Sequence, residues 1–287
     1  MSIEVETRWN LSDDVCRIAR EAGDRIMAIY QQDFGVETKS DNSPLTQADS
    51  AAHTAIKQAL QGIEPQLPIL SEEGGEISYE ERREWENFWL VDPLDGTKEF
   101  INKNDEFTVN IALIQDQRPI LGVVYLPALG TTYLGVKGKG AFRITEEGRQ
   151  PIYARALSEA TLTVVASRSH RDASIDTLLS RLPAHETTSV GSSLKFCRVA
   201  EGEADLYPRF GQTCEWDTAA AQCVVETAGG RVVDLDGNPL TYNNGESLLN
   251  PSFIAFGDPS HDWMQYLSGL GGDASSGNEA EGTEANA

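Results

Sequence analysis

The segment Phe88–Ile101, FWLVDPLDGTKEFI, constrains the fold more than any other part of the chain. Its first residues are large and apolar, which is typical of a buried β-strand. The apolar run stops at Asp92, and Pro93 presets a turn because its ring fixes φ. Gly96 lets a ligand approach the backbone closely, and TKEFI behind it predicts the start of a helix. The segment thus predicts a buried strand, a turn that carries two carboxylates, and a helix N-terminus.

The two aspartates of this turn indicate a divalent cation. The stiff Pro-Leu spacer lets Asp92 and Asp95 converge on one cation or bridge two, and the turn exposes the carbonyl of Leu94 as another oxygen ligand. Oxygen-only ligands select Mg²⁺, Mn²⁺ or Ca²⁺ rather than zinc. The N–H groups at the helix start could hold a phosphate. The alternative is a strand-ending turn in which Asp95 only caps the helix.

Three further acidic sites give weaker signals, each with a structural alternative. Glu72 and Glu73 follow a short apolar strand, but adjacent glutamates in a loop are usually solvated. Asp217 starts a helix rich in small residues, where Asp is also a common N-cap. Asp49 stands three residues after Thr46, which is the spacing of a capping box.

Together the acidic sites favour phosphate-ester chemistry. Two Mg²⁺ ions about 4 Å apart, clamped by carboxylates, would activate a water and stabilise the leaving oxygen of a phosphate ester. The sequence shows no competing Ser-His-Asp constellation, Walker loop or GxGxxG pattern. The glycine-rich stretch GVKGKGAF falls among β-rich runs and predicts turns.

The net charge of −22 excludes a basic groove for nucleic acid. It does not exclude a phosphate site, because bound metal ions would set the local charge. The four cysteines form no CxxC pair, so we expect reduced thiols rather than a zinc site or disulfides. The acidic N-terminus lacks the regions of a signal peptide, and no apolar run approaches the ~20 residues of a membrane span. We therefore expect a soluble, cytoplasmic protein.

Hydrophobic periodicity predicts an N-terminal α+β part. One helix is predicted from Leu11 to Gln32, with Ser12 as its N-cap, and a second from Thr46 to Leu60. The runs FTVNIALI, RPILGVVYLP, TTYLGVKG and GAFRI are short, β-rich and separated by turn residues, which predicts an antiparallel meander.

After about Arg155 strands and helices alternate, which predicts an α/β part. The predicted fold class is therefore α/β, with an α+β N-terminal part and an α/β C-terminal part. We predict a metal-binding domain over 1–155, a substrate-binding domain over 156–268 and a disordered acidic tail over 269–287.

Three motifs occur in order along the chain: SEEGG, WLVDPLDGTKEFI and WDTAAAQCVVETAGG. As a set they resemble the inositol monophosphatase superfamily of Mg²⁺-dependent, Li⁺-sensitive phosphatases. Further segments, among them DNSPLTQAD, EFTVNIALI, GSSLKFC and EGEADLYPRFG, resemble its 3′(2′),5′-bisphosphate nucleotidase branch. The resemblance runs from about residue 12 to residue 255 and implies a layered αβαβα fold.

The resemblance also implies a set of site residues. It prefers Glu72 over Glu73 and implies two or three Mg²⁺ ions, whose ligands would be Glu72, Asp92, the Leu94 carbonyl, Asp95 and Asp217. It matches Asp49 and Thr97 to the positions that polarise the attacking water, and Glu72 acts with them in catalysis. The metal side would also contact substrate through Glu72, Leu94, Asp95, Gly96, Thr97 and Asp217.

The branch resemblance implies contacts to a second phosphate and a base. Lys195 and Arg209 could take the 5′-phosphate, Arg209 by a two-pronged contact. The alternative is an exposed helix lysine and a surface strand arginine. Further hydrogen bonds could come from Gly191, Ser192, Ser193 and His170, with Arg168 an equal candidate in the loop of His170.

The implied reaction is hydrolysis of the 3′-phosphate of 3′-phosphoadenosine 5′-phosphate to AMP and phosphate, in sulfur assimilation and nucleotide recycling. The related 3′-phosphoadenosine 5′-phosphosulfate is a further expected substrate. The alternatives are an inositol or sugar phosphate monoesterase on the same scaffold, and a catalytically silent nucleotide sensor. The branch leans towards a monomer without integral membrane association, and weak peripheral attachment to the inner membrane stays open.

Overall fold

The computed structural model of the protein describes residues 2–32, 44–157, 161–166 and 173–270. Its elements are a mixture of helices and strands. The helices are α1 (Val5–Tyr30), α2 (Pro44–Leu60), α3 (Tyr79–Arg82), α4 (Thr97–Ile101), α5 (Ala173–Arg181), α6 (Leu194–Ala200) and α7 (Glu215–Thr227). Short 3₁₀ helices cover Pro127–Leu129 and Trp263–Tyr266. The tail predicted to be disordered lies outside the described residues from position 271 onward.

The first sheet contains seven strands in sequence order. They are β1 (Ile69–Ser71), β2 (Asn87–Asp95), β3 (Thr108–Gln115), β4 (Arg118–Leu126), β5 (Thr131–Val136), β6 (Gly140–Thr145) and β7 (Gly148–Ile152). From β2 to β7 neighbouring strands are antiparallel, so the predicted meander is confirmed. β1 pairs with β2 in parallel, and the C-terminal ends of these two strands therefore meet at one edge of the sheet.

The second sheet has five strands in the order β11-β12-β10-β8-β9. They are β8 (Leu162–Ala166), β9 (His185–Ser189), β10 (Leu206–Arg209), β11 (Arg231–Asp234) and β12 (Phe253–Phe256). β8 runs parallel to both β9 and β10, whereas β12 is antiparallel to β10 and β11. The C-terminal part is thus an α/β unit, as predicted. β7 and β9 had no sequence prediction because their runs are short and largely polar, and β12 had none because its apolar run has only four residues.

Three apolar cores separate the layers. One lies between α1, α2 and one face of the first sheet. The second fills the space between the other face, α6, α7 and the second sheet. The third covers the outer side of the second sheet beneath α5 and the last 3₁₀ helix. This order of layers is the predicted αβαβα sandwich.

Helix α7 lies directly on the strands of the first sheet because glycines face it. A Cβ added at Gly122 would stand 2.2 Å from the carbonyl oxygen of Ala220, and one added at Gly135 would stand 2.7 Å from the carbonyl carbon of Cys223. Interiors are close-packed, so any side chain at these two positions would push the helix away. The small residues of the helix and the glycines of the sheet together set the distance between α7 and the first sheet, and so the position of the N-terminus of α7.

The predicted start of the first helix is wrong. α1 begins at Val5 rather than near Leu11, and its N-cap residue is Glu4. Ser12 therefore lies inside the helix, fully buried, and its hydroxyl donates to the carbonyl of Trp9 at 2.7 Å. The extra turns are held from outside the helix, because the Trp9 ring packs 5.5 Å from the Phe142 ring.

Within the described ranges, no helix has both the length and the apolarity needed to span a membrane.

Candidate active site

A pocket of 280 Å³ lies where the carboxyl ends of β1 and β2 meet the N-termini of α6 and α7. It collects most of the residues that the sequence predicted for the site. The predicted residues on its wall are Glu72, Asp92, Leu94, Asp95, Gly96, Thr97, Ser192, Ser193, Lys195, Arg209 and Asp217. These residues come from both sheets, so the site depends on how the two halves of the fold pack.

Asp92 and Asp95 are brought together by a β-bulge rather than by a turn after the strand, which corrects the prediction. β2 continues through Pro93 and Leu94 to Asp95. Asp92 pairs with Asn110 and Asp95 with Thr108, so three steps along β2 face two steps along β3. A bulge of this kind re-aims side chains and tolerates a proline.

After the bulge the chain turns sharply into α4, as predicted. Gly96 has φ of 95°, in the left-handed region that favours glycine. A Cβ there would also stand 3.2 Å from the Cβ of Ser192.

Asp95 is held by one of its two carboxylate oxygens. Its Oδ2 accepts from the backbone N–H of Ser193 at 2.8 Å and lies 2.5 Å from Ser192 Oγ and 2.9 Å from Ser193 Oγ. Thr108 Oγ1 lies further away, at 3.4 Å. These bonds all engage Oδ2 and fix the plane of the carboxylate. The Ser192 and Ser193 hydroxyls, predicted to contact the nucleotide, are directed to Asp95.

Asp92 and Asp217 are each held in the same way. Asp92 Oδ1 accepts from the backbone N–H of Leu94 at 3.0 Å within the bulge. Asp217 is the third residue of α7, and its Oδ2 accepts from the backbone N–H of Cys214, the N-cap, at 2.9 Å. Asp217 is therefore a capping residue and a member of the pocket at once.

Glu72 and Glu73 diverge after the end of β1. Glu72 lines the pocket, and its charge raises the pKa of both Asp92 and Asp217. Glu73 instead raises the pKa of His53, on α2, although burial keeps the pKa of that imidazole below its ordinary value. His53 Nδ1 stands 2.9 Å from Ser71 Oγ, so α2 is tied to the residue before Glu72.

The carboxylates crowd one another. Asp92 is 1% exposed, and burial together with the charges of Asp95, Glu72, Asp217 and Asp49 raises its pKa well above its ordinary value. Burial and the neighbouring Asp95 raise the pKa of Asp217 to about 7. Ionising such a cluster is unfavourable unless a cation joins it. Within the parts of the chain described, no three His, Cys, Asp or Glu side chains stand as a ready-made metal site.

Asp49 and Thr97, the two residues matched to water polarisation, differ in burial. Asp49 lies on α2, 3% exposed and close enough to Asp92 to raise its pKa. Because α2 begins at Pro44, Thr46 is inside the helix and cannot be the N-cap of a capping box. Thr97 is the first residue of α4 and is exposed at the pocket mouth.

Two cations face the carboxylates from the second half of the fold. Lys195 is 7% exposed, its Nζ is 3.5 Å from the Val190 carbonyl oxygen, and burial lowers its pKa to about 8. Arg209 donates Nε and Nη2 to the carbonyls of residues 211 and 212, at 3.2 and 3.1 Å. Lys195 is therefore no exposed helix lysine, and Arg209 is partly buried at the end of β10.

Other pocket residues were missed from the sequence. They are Lys98, Glu99, Phe196, Tyr207, Thr213, Thr218 and Phe253. The rings of Phe196, Tyr207 and Phe253 pack together, with centroids 5.0 to 5.9 Å apart. Strand alternation could have found Tyr207, since it lies two residues before Arg209 and thus on the same face of β10.

Of the predicted residues that the structure describes, Gly191 and Asp49 are not on the wall of this pocket. Gly191 is just behind its wall, and its N–H donates to Glu106 at 2.8 Å. A Cβ at this glycine would stand 2.3 Å from Glu99 Cγ, so a larger residue would displace the Glu99 side chain. His170 and the alternative Arg168 lie outside the described residues.

Comparison with known proteins identifies the family of the chain. Residues 11–261 match the inositol monophosphatase family. The chain is 52% identical over 243 residues to the Escherichia coli K12 protein named 3′(2′),5′-bisphosphate nucleotidase CysQ, covering 84% of this chain and 97% of that protein. It is 38% identical over 261 residues to the protein of the same name from Haemophilus influenzae, covering 88% and 95%.

Solved structures share the fold. CysQ from Bacteroides thetaiotaomicron, described as a bacterial member of the inositol monophosphatase family, superposes with a TM-score of 0.80 at 41% identity over 86% of this chain and 97% of that one. An inositol monophosphatase from Zymomonas mobilis superposes with a TM-score of 0.74 at 26% identity over 93% and 98%. The αβαβα layering is common to these structures and the present one.

Proposed function

The chain belongs to the inositol monophosphatase family, and we propose that it is a 3′(2′),5′-bisphosphate nucleotidase. Its substrate would be 3′-phosphoadenosine 5′-phosphate, which water converts to AMP and inorganic phosphate. 3′-Phosphoadenosine 5′-phosphosulfate would be a second substrate. One observation carries the proposal: a single pocket has a carboxylate cluster on one wall and Lys195 with Arg209 on another. A ligand with two separate phosphates fits such a pocket better than a monophosphate does.

The carboxylate wall fits Mg²⁺ by its chemistry. Its donors are carboxylate and carbonyl oxygens, which hard divalent cations prefer. Burial and the repulsion between neighbouring carboxylates raise the pKa values of Asp92 and Asp217, and a bound cation would relieve this repulsion. We assign two or three Mg²⁺ ions to Glu72, Asp92, the Leu94 carbonyl, Asp95 and Asp217. Bound Mg²⁺ would supply an activated water and charge neutralisation for the departing oxygen.

The chain's own groups would orient the reacting partners. Asp49 and Thr97 are assigned to hold the attacking water, one accepting its hydrogen bond from the buried side and one at the pocket mouth. The backbone at Gly96 and Thr97 is assigned to the phosphate that is cleaved, because the left-handed glycine leaves room there. One oxygen of each aspartate is already fixed by a hydrogen bond, so little reorganisation remains when substrate enters.

The cationic wall would bind the phosphate that is not cleaved. Lys195 is buried and makes only one long hydrogen bond, to the Val190 carbonyl, within the described structure. A phosphate would restore the solvation that burial removed and would raise its pKa again. Arg209 already gives two N–H groups to backbone carbonyls, which leaves Nη1 available within the described hydrogen bonds. The nearby aromatic cluster offers apolar surface for a base.

We also propose the domain roles and the setting. Residues 1–155 would bind metal and 156–268 the nucleotide, although Asp217 of the second part completes the metal wall. The protein would work as a cytoplasmic, lithium-sensitive monomer, with any membrane attachment weak and peripheral.

Product analysis tests the proposal. The purified protein with Mg²⁺ should convert 3′-phosphoadenosine 5′-phosphate to AMP plus one equivalent of phosphate, and chelation of Mg²⁺ should stop the reaction. Formation of 3′-AMP instead would contradict the orientation assigned to Lys195 and Arg209. Tight nucleotide binding without product would replace the enzyme with a nucleotide sensor.

A further inference from the structure

Ser193 stands at the junction between the two halves of the carboxylate wall. It precedes α6, is 2% exposed, and follows Ser192 in the GSSLKF segment. Its neighbours are Asp95 from the first sheet and Asp217 from α7. We propose that Ser193 is a positioning residue that sets Asp95 and Asp217 relative to each other for metal binding. This inference rests on the proposed metal site.

Two groups of Ser193 act on Asp95. Its backbone N–H donates to Asp95 Oδ2 at 2.8 Å, and its Oγ stands 2.9 Å from the same oxygen. Both bonds reach one carboxylate oxygen, so they resist rotation of the carboxylate about its Cβ–Cγ bond. Hydrogen bonds to an ionised group are about twice as strong as neutral ones.

The same hydroxyl reaches the other half of the wall. Ser193 Oγ is 2.9 Å from the backbone carbonyl oxygen of Asp217. The hydroxyl has one hydrogen, so it donates to Asp95 or to this carbonyl at any moment and lies between both. A residue in this position fixes how far the end of β2 is from the first turn of α7.

Asn110 orients the hydroxyl of Ser193. Its Nδ2 donates to Ser193 Oγ at 3.0 Å, which fills a lone pair and leaves the hydrogen for the two acceptors. Asn110 is 1% exposed and pairs with Asp92 across β2 and β3. A buried chain of hydrogen bonds therefore runs from Asn110 on β3 through Ser193 to two candidate metal ligands, Asp95 and Asp217.

Burial separates the role of Ser193 from that of Ser192. Ser192 is partly exposed and has a positive φ of 50°, and its hydroxyl is shared between Asp95 and Thr108, at 2.5 and 2.6 Å. Ser192 can therefore contact a ligand in the pocket. Ser193 has almost no surface to offer, and its side chain is committed to protein groups.

The test measures Mg²⁺ binding by titration calorimetry without substrate, in wild type, Ser193→Ala and Asn110→Ala. Ser12→Ala is the matched control, because it also removes a fully buried serine hydroxyl, far from the pocket. Outer-shell changes typically cost 10- to 100-fold in metal affinity, so we expect about that loss for Ser193→Ala and a smaller loss for Asn110→Ala. The double variant should bind no more weakly than Ser193→Ala, since Asn110 acts through the same hydroxyl.

Kinetics with the nucleotide separate positioning from substrate contact. Ser193→Ala should lower kcat at fixed Mg²⁺ and recover with excess Mg²⁺, with KM for the nucleotide nearly unchanged. Wild-type Mg²⁺ affinity in a folded Ser193→Ala variant, or additive losses in the double variant, would overturn the inference alone. If Ser193→Ala does not fold, wild-type Mg²⁺ affinity in Asn110→Ala would overturn it. Absence of Mg²⁺ binding in the wild type would overturn the proposed function with it.

Discussion

The carboxylate wall and the cationic wall of the pocket are built differently. Asp92, Asp95 and Asp217 each have one oxygen fixed by hydrogen bonds to neighbouring residues. Among the described residues, Lys195 and Arg209 donate their hydrogen bonds to backbone carbonyls, at 3.1 to 3.5 Å. The carboxylates are positioned before any ligand binds. On the second wall, burial lowers the pKa of Lys195 to about 8 even though Asp95, Glu99 and Glu106 act in the opposite direction.

This difference suggests a division of labour. A fixed set of oxygen donors suits a reaction that is sensitive to small changes in geometry, such as water attack on a phosphate ester. Undercompensated cations suit recognition, because a phosphate gains most where the protein has not already neutralised the charge. The first wall would then set the reaction and the second would set the substrate.

The largest effect is expected on the carboxylate wall. Glu72→Gln should lower kcat for every phosphate ester about 1,000-fold, because it removes the negative charge of a proposed metal ligand, which is worth several kcal/mol. Glu73→Gln is the matched control, since the neighbouring side chain faces His53 rather than the pocket. Steady-state phosphate release measures both. Equal losses in the two variants would break the assignment of Glu72 over Glu73.

The cationic wall should change substrate preference instead. Lys195→Ala and Arg209→Ala should each raise KM for 3′-phosphoadenosine 5′-phosphate about 10- to 100-fold, because a charged hydrogen bond contributes about 1.5–3 kcal/mol. Activity on a monophosphate ester should change little. Lys98→Ala, at an exposed lysine of the same pocket, is the control. Unchanged KM in both variants would favour an inositol or sugar phosphate monoesterase.

A smaller effect is expected between α2 and β1. His53→Ala removes the contact to Ser71 and should lower kcat about tenfold by loosening Glu72, with KM for the nucleotide unchanged. Ser71→Ala should have the same effect, and the double variant should be no worse than either single one. Additive losses would show that the two side chains act separately.

The carboxylate wall should also destabilise the metal-free protein. The folded-state pKa of Asp217 is raised from 3.8 to about 7, so the folded protein binds its proton more tightly than the unfolded chain does. Stability contributed by that proton is present below about pH 4 and is lost as the pH rises through about 7.

Asp217→Asn should therefore stabilise the metal-free protein by about 1–3 kcal/mol above pH 7 and flatten its pH dependence. Chemical unfolding across this pH range, in a chelator, measures the difference. Excess Mg²⁺ should remove most of the wild-type pH dependence. A variant that is less stable than wild type at every pH would contradict the crowding account.

Sequence reasoning captured the contiguous part of this site and missed the parts that depend on packing. The apolar run, proline and glycine of residues 88–96 are local signals, and they predicted a strand, close carboxylates and a helix start. The bulge could not be predicted, because it depends on how β2 registers with Asn110 and Thr108 of β3. The burial of Ser193 likewise depends on α6 packing against α7 and the sheet.

The start of α1 was missed for a similar reason. Local capping preferences favoured Ser12, but tertiary contacts of Trp9 extend the helix past it. A pattern of two adjacent acids could not predict where the Glu72 and Glu73 side chains point, since their directions are set by the end of β1 and by α2. The family resemblance supplied that choice, and the structure places Glu72 at the pocket.

One competition experiment tests the central claim that a metal-binding carboxylate wall and a phosphate-binding cationic wall act on the same molecule. Phosphate release with Mg²⁺ is measured from 3′-phosphoadenosine 5′-phosphate and from inositol 1-phosphate at equal concentration, for wild type and Asp95→Asn. We predict strong preference for the nucleotide in the wild type and loss of release from both substrates in Asp95→Asn. Preference for inositol 1-phosphate, or an active Asp95→Asn enzyme, would contradict the account.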